Sequence, residues 1–476
     1  MIKKLGKDSA VYGGGDFVGK MVAFFIFPII AAALSPFAFG ALELIVTSTA
    51  LLGLVVNCGL NNALQRFYWD KDTLKAQRPS LVSTGLAVQT AFGIIAIIMS
   101  LFALPVILPE VEKSGLPVTW VGLLAALFLI VFTHWLHYLL DVTRLHFSPF
   151  KFLSLSLISR VFGLLLALLA VVYWDWGLDG MLGMQACVAF GLLPLALWMV
   201  RKDLTLELDR IWAQKLVVYG YPFIFVGLAY WLFGSMDRWM LASMSSVEET
   251  GIYSVAFRFA SIVFFVSTAF SKAWSPIAIK YRTDNPSGYR QFYAQILLLL
   301  FFVMMIIGGG LAIFSGEIIK LIMPSDYVGS ALPLAILCFG VILQATLQVT
   351  AIGISLEKKT YLFARLSWLT ALINLGLNWI LIPEYGAVGA ALATSISYLI
   401  LTGTYLFWTQ RLHTLPISWK SLSWLLFLSS LLAAMAIYAN HYSFSWEILG
   451  FKVLLLTVCA CLGWLALPIK DLKLAR

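Results

Sequence analysis

The sequence predicts an all-α polytopic membrane protein with about fourteen transmembrane helices. Three observations predict it. Apolar windows of about twenty residues, the length that crosses the hydrocarbon core as a helix, recur along the whole chain. Basic residues alternate between rich and poor loops, and short motifs return at an interval near 210 residues.

The windows place spans at residues 9–34, 40–65, 80–107, 118–140, 151–173, 178–200, 216–243, 249–274, 291–322, 331–355, 361–382, 386–409, 420–440 and 446–469. Of the 476 residues, 61% are hydrophobic and 12% are charged, so a water-soluble core could not hide the apolar surface. In hydrocarbon the backbone must satisfy itself, which leaves helices or a closed barrel. Barrel strands would alternate in polarity, whereas Leu86 to Leu108 and Leu422 to Ala439 are apolar on every side. The basic start, Met1 to Lys7, precedes an apolar run without a small-residue cleavage site, and reads as an uncleaved first span.

With the N-terminus in the cytoplasm, the inner loops and tails hold 25 of the 32 Lys and Arg residues, and the outer loops hold Lys113 and Lys320. That asymmetry is the positive-inside pattern, and it predicts that both termini are cytoplasmic. The net charge of +9 then reflects topology and anionic lipid headgroups rather than a nucleic-acid partner. The longest polar connections, Arg201 to Lys215 and Ser275 to Arg290, leave no room for a soluble catalytic domain. Cys58, Cys187, Cys338, Cys459 and Cys461 all fall in apolar stretches and read as packing residues.

Trp176-Gly177-Leu178-Asp179-Gly180 and Tyr385-Gly386-Ala387-Val388-Gly389 match at an offset of 209. Ser35 and Gly40 match Ser246 and Gly251 at 211, and Tyr12-Gly13 matches Tyr219-Gly220 at 207. The constant order predicts two duplicated six-span lobes, residues 1–205 and 206–412, followed by residues 413–476 as two appended spans and a tail. Six is even, so the copies form a parallel repeat, an arrangement used by transporters that rock about a central site.

A charge in hydrocarbon costs about 3 kcal/mol or more at mid-depth, so the charged residues within the spans are the functional candidates. Lys20, Arg160, Arg258 and Arg238 would form a cationic cavity for an anionic headgroup such as a diphosphate. Asp16, Asp237 and Glu43 are candidates for ion coupling. Asp16–Lys20 and Asp237–Arg258 could equally be neutralising structural pairs. Asn57, Gln344, Asn374 and Asn378 could contact a glycan or bridge helices, the last two lying four residues apart on one face.

Two patterns carry no site. Gly14 to Met21 approaches a phosphate-binding loop, but Met21 replaces the metal-holding hydroxyl and no strand precedes it. His134 and His137 have no acidic or thiol companion nearby and read as packing residues, so no metal is expected. No catalytic constellation can be assembled, which argues against an enzyme.

Asp237-Arg238-Trp239-Met240-Leu241, Glu249-Thr250-Gly251-Ile252-Tyr253-Ser254, Ala273-Trp274-Ser275-Pro276 and the stretch from Asn374 to Thr394 together resemble the polysaccharide biosynthesis protein family. These are lipid-linked oligosaccharide flippases, O-antigen transporters among them, of the multidrug/oligosaccharidyl-lipid/polysaccharide exporter superfamily. The resemblance implies transport of undecaprenyl-diphosphate-linked oligosaccharide units from the cytoplasmic to the outer leaflet by alternating access. It also implies membrane lipids as surroundings, a polysaccharide polymerase and a chain-length regulator as partners, and an ion gradient in place of any cofactor. A first span without Arg argues against the peptidoglycan-precursor branch. A drug/cation antiporter of the same superfamily and a membrane-embedded glycan polymerase or transferase are the alternatives.

Overall fold

Long apolar segments without a water-facing stripe satisfy their backbone only by coiling, and the computed structural model is accordingly helical. It describes residues 2–146, 148–357, 359, 361–439 and 445–468, with side chains from Val18 onwards except at positions 149, 272, 273, 275, 276 and 279. The chain divides into two compact units, Met1–Ser235 and Met236–Arg476.

The first unit contains α1 (Ile2–Ala33), α2 (Pro36–Asn57), α3 (Leu60–Tyr68), α4 (Arg78–Lys113), α5 (Trp120–Leu145), α6 (Pro149–Val172), α7 (Gly177–Val200), α8 (Arg210–Gly220) and most of α9 (Pro222–Met244). Its core gathers Leu60, Leu64, Leu81, Leu136, Leu139 and Leu216 around Tyr138, which donates its hydroxyl to the Val82 carbonyl at 3.1 Å. The broken segments α2–α3 and α8–α9 meet at their breaks. Gly59 has φ 65°, and a β-carbon there would stand 2.3 Å from the Gly220 carbonyl oxygen. Both positions must be glycine for the backbones to touch.

The second unit runs through α10 (Val247–Ala260), α11 (Ile262–Asp284), α12 (Tyr289–Ile313), α13 (Ser315–Ile322), α14 (Ala331–Ala345), α15 (Leu347–Thr350), α16 (Ile352–Leu356), α17 (Tyr361–Leu412), α18 (Trp419–Ala439) and α19 (Trp446–Ala466). Its most closely packed helices include α12, α14, α17 and α18. Phe102, Val106, Trp198, Phe225, Trp379 and Leu465 point outward, the reverse of a soluble protein and the pattern that lipid requires. Trp120, Trp174, Trp176, Trp419 and Trp446 are exposed at or beside helix ends, where aromatic side chains anchor the membrane interface.

Among the described residues, twelve helices are long and apolar enough to cross a membrane, against about fourteen expected. The difference arises at two places. The first helix enters the tally only as the short piece Val18–Ala33, because its earlier side chains lie outside the described residues. The 52-residue α17 is continuous in hydrogen bonding but turns at Gly386, where φ 52° and ψ −129° are not helical. At 1.5 Å per residue it is about twice as long as one span needs. The tail after residue 468 lies outside the described residues.

Two of the motif pairs share a local feature. Ser35 caps α2 by accepting from the Ala38 amide, and Ser246 caps α10 by accepting from the Glu249 amide. Gly177 and Gly386 both adopt left-handed backbone, with φ 56° and 52°.

Candidate functional site

In the first unit, α1 packs on α6, and Arg160 of α6 lies across Gly19. A β-carbon at position 19 would stand 3.2 Å from the Arg160 Cδ and 3.4 Å from its Nη1. Lys20 is the next residue along α1, so these two basic candidates occupy adjoining helices of one unit. The side chain of Asp16 lies outside the described residues. Glu43 is buried in α2.

Asn57 ends α2, and its Oδ1 accepts from the Asn61 amide at 3.4 Å. Asn61 in turn donates from Nδ2 to Asp141 Oδ2 at 2.7 Å. Gln65 donates to the same oxygen at 3.4 Å, and Arg144 lies 2.9 Å from Oδ1. Asp141 is thus the centre of a polar cluster where α3 meets α5. The sequence reading missed it because α5 continues to Leu145, beyond the expected end of the span at 140. An i, i+3 Asp–Arg pair following His137 was the available signal.

In the second unit, residues from three of the stretches that resemble the family converge. Asp237 and Arg238 are both buried, and Arg238 Nη1 lies 3.0 Å from Asp237 Oδ1. Tyr253 donates its hydroxyl to Asp237 Oδ2. Its single proton is then committed, so Thr394, at 3.2 Å, is the donor to the phenolic oxygen. The Arg238 guanidinium also stands over Phe257, 4.8 Å from the ring centre. Asp237 is thus held by Arg238 and by Tyr253. Adjacent residues share no helix face, but a long guanidinium can fold back where a ring on the next helix supports it.

Arg258 is half-buried on α10. Glu249 of that helix accepts the Ala387 amide at 2.7 Å, capping the second arm of α17 just after the turn at Gly386. The two arms of α17 are tied by Asn374, which donates to Ser397 Oγ at 3.1 Å and accepts from Asn378 at 3.0 Å. Asn374 and Asn378 are fully buried in this arrangement, while Gln344 on α14 is half-buried.

A sequence model of the family described as polysaccharide biosynthesis protein matches residues 29–333. Two curated relatives come from Haloferax volcanii. The probable low-salt glycan biosynthesis flippase Agl15 is 22% identical over 44% of this chain and 45% of its own length, and the probable flippase AglR is 28% identical over 51% and 52%. The chain thus spans about half the length of the curated relatives it matches. Among solved structures, an inward closed conformation of the lipid II flippase MurJ superposes with a TM-score of 0.71 at 14% identity, covering 95% of this chain and 97% of that one. An inward-facing multidrug resistance transporter of the MATE family and MOP superfamily gives a TM-score of 0.62 at 14% identity, over 82% and 94%. At such identities the likeness establishes the fold alone, that of a multi-pass membrane protein.

Proposed function

The chain belongs to the polysaccharide biosynthesis protein family, and from that premise we propose that it flips a lipid-linked oligosaccharide across the membrane and is not an enzyme. The cargo in this reading is an undecaprenyl-diphosphate-linked repeat unit. It moves from the cytoplasmic to the outer leaflet of the inner membrane by alternating access, for a surface polysaccharide such as an O-antigen or exopolysaccharide. Both termini face the cytoplasm, and a polymerase and a chain-length regulator act on the delivered units.

One observation carries the reading: basic side chains are kept within apolar helices at a cost of about 3 kcal/mol or more each, and Lys20 and Arg160 stand on adjoining helices. A doubly charged diphosphate would repay that cost through charge-assisted hydrogen bonds. Arg238 and Arg258 are the corresponding groups of the second unit. Asp16, Glu43 and Asp237 are the acidic groups available to couple an ion gradient, and Asn57 and Gln344 are polar groups available to a sugar. The relatives named as flippases support a lipid-linked cargo over the cationic drugs of the MATE branch.

The test is the leaflet on which lipid-linked repeat units accumulate in cells that lack the protein, read with a membrane-impermeant glycosidase. Accumulation on the cytoplasmic leaflet is expected. Accumulation on the outer leaflet would instead identify a polymerase.

A further inference from the structure

Two histidines stand at one end of their helical bundles, and the site described above uses neither. In the first unit His146, just past α5, places Nε2 2.9 Å from Oδ1 of the buried Asp203, in the short turn after α7. Tyr68, the last residue of α3, joins both: its hydroxyl is 2.9 Å from His146 Nε2 and 3.3 Å from Asp203 Oδ1. The Tyr68 ring lies 5.9 Å from the imidazole, and Arg78 at the start of α4 stands over it at 5.0 Å.

In the second unit Glu357, just past α16, places Oε1 3.4 Å from Nδ1 of the buried His413, just past α17. The Tyr289 ring of α12 lies 5.4 Å from that imidazole. Arg282 of α11 and Arg290 of α12 stand over the same ring at 5.7 Å and 5.9 Å. Glu357 follows His146 by 211 positions and His413 follows Asp203 by 210. Those intervals fall within the range of the repeated motifs, so the four residues occupy two equivalent positions, with acid and base exchanged.

We propose that each half of the protein fastens one end of its fourth and sixth spans with a histidine–carboxylate clasp, and that protons open the clasp of the second half. Duplication preserved the pair but not its polarity, which is what selection for the contact itself, rather than for either residue, would leave. Each clasp sets how firmly that end of its bundle stays closed.

The two clasps differ in burial. His146 is well exposed beside its carboxylate. His413 is 3% exposed and its Nε2 has no hydrogen-bond partner among the described residues. A neutral ring donating from Nδ1 to Glu357 suits this place, whereas a second proton on Nε2 would be buried with no acceptor. The charged groups facing it are Glu357 from α16, Arg290 from α12 and Arg282 from α11, with Tyr289 against the ring and the exposed Arg411 on its own helix. Burial, then Arg290 and Arg282, hold the His413 pKa below its usual value against the opposing pull of Glu357. The unfolded chain therefore binds more protons near the ordinary imidazole pKa of about 6.5, so the contribution of neutral His413 is complete above that pH and is lost as pH falls.

The experiment measures thermal unfolding of the full chain in detergent at pH 8 and pH 5.5. At pH 8, His146→Asp and Asp203→His should each lower the midpoint by about 2 °C or more. The exchange variant carrying both, which gives the first unit the polarity of the second, should regain at least half of the loss. An exchange variant no better than the worse single variant would overturn the clasp. For the second unit, His413→Asn should flatten the fall in midpoint between pH 8 and pH 5.5. An unaltered fall in His413→Asn would overturn the proton response, and this readout survives even if the exchange variant does not fold.

Discussion

Gly59 and Gly220 meet backbone against backbone, at the points where two membrane-crossing segments of the first unit break. Cys58, beside Gly59, has φ 45°, and the Gly220 β-carbon position lies 2.2 Å from its carbonyl oxygen. Broken helices inside a membrane protein are tolerated where neighbouring chain encloses the freed backbone groups, and here each break encloses the other.

Gly220→Ala should therefore destabilise the protein by about 1–3 kcal/mol, the range for forcing a methyl into a packed interior. Gly59→Ala should cost more, because its left-handed backbone adds strain to the clash. Thermal unfolding in detergent measures both. A stability equal to wild type in either variant would show that the crossing relaxes freely.

The buried Asp237–Arg238 pair makes a second expectation. Asp237→Asn leaves a guanidinium buried without its counter-charge, a loss of about 3–5 kcal/mol. Asp237→Asn combined with Arg238→Met should recover much of that stability. Unfolding midpoints of the single and double variants check it, and an additive loss in the double variant would rule out coupling between the pair.

Lys452 of α19 is 2% exposed, and its Nζ lies 2.6 Å and 2.8 Å from the two carboxylate oxygens of Glu317 on α13. This pair fixes one of the last two helices to the second unit. Lys452→Met should release α19, seen as faster proteolysis in the connection before Trp446, while Lys452→Arg largely retains the contact. Identical proteolysis in Lys452→Met and wild type would contradict the anchoring role.

Asp16 carries the ion-coupling expectation. Flipping in vesicles by Asp16→Asn should lose its dependence on an imposed proton or sodium gradient while retaining the downhill component. Unchanged gradient dependence would remove Asp16 from that role.

The helical membrane fold was legible in the sequence because hydrocarbon imposes one rule on every span, and the rule leaves twenty-residue apolar windows in plain view. The caps were legible as well, since Ser35 and Ser246 each precede a helix and accept one of its free first-turn amides, and Gly177 and Gly386 both hold positive φ. Side-chain partnership was harder to read. Asp237 pairs with the neighbouring Arg238, whose guanidinium stands over the rings of Tyr253 and Phe257, contacts that depth along the spans does not reveal. Asp141 went unnoticed because its significance depends on Asn61 and Gln65, which are about eighty positions away in sequence and adjacent only after packing.

Native mass spectrometry of the purified protein tests most directly whether basic groups within the spans hold a diphosphate-linked lipid. The wild-type chain should retain a glycolipid of that composition. Arg160→Ala combined with Arg258→Ala should lower its occupancy about tenfold or more at equal membrane abundance, since each charge-assisted hydrogen bond contributes about 1.5–3 kcal/mol. Equal occupancy in the double variant, or a cationic ligand in its place, would contradict the account.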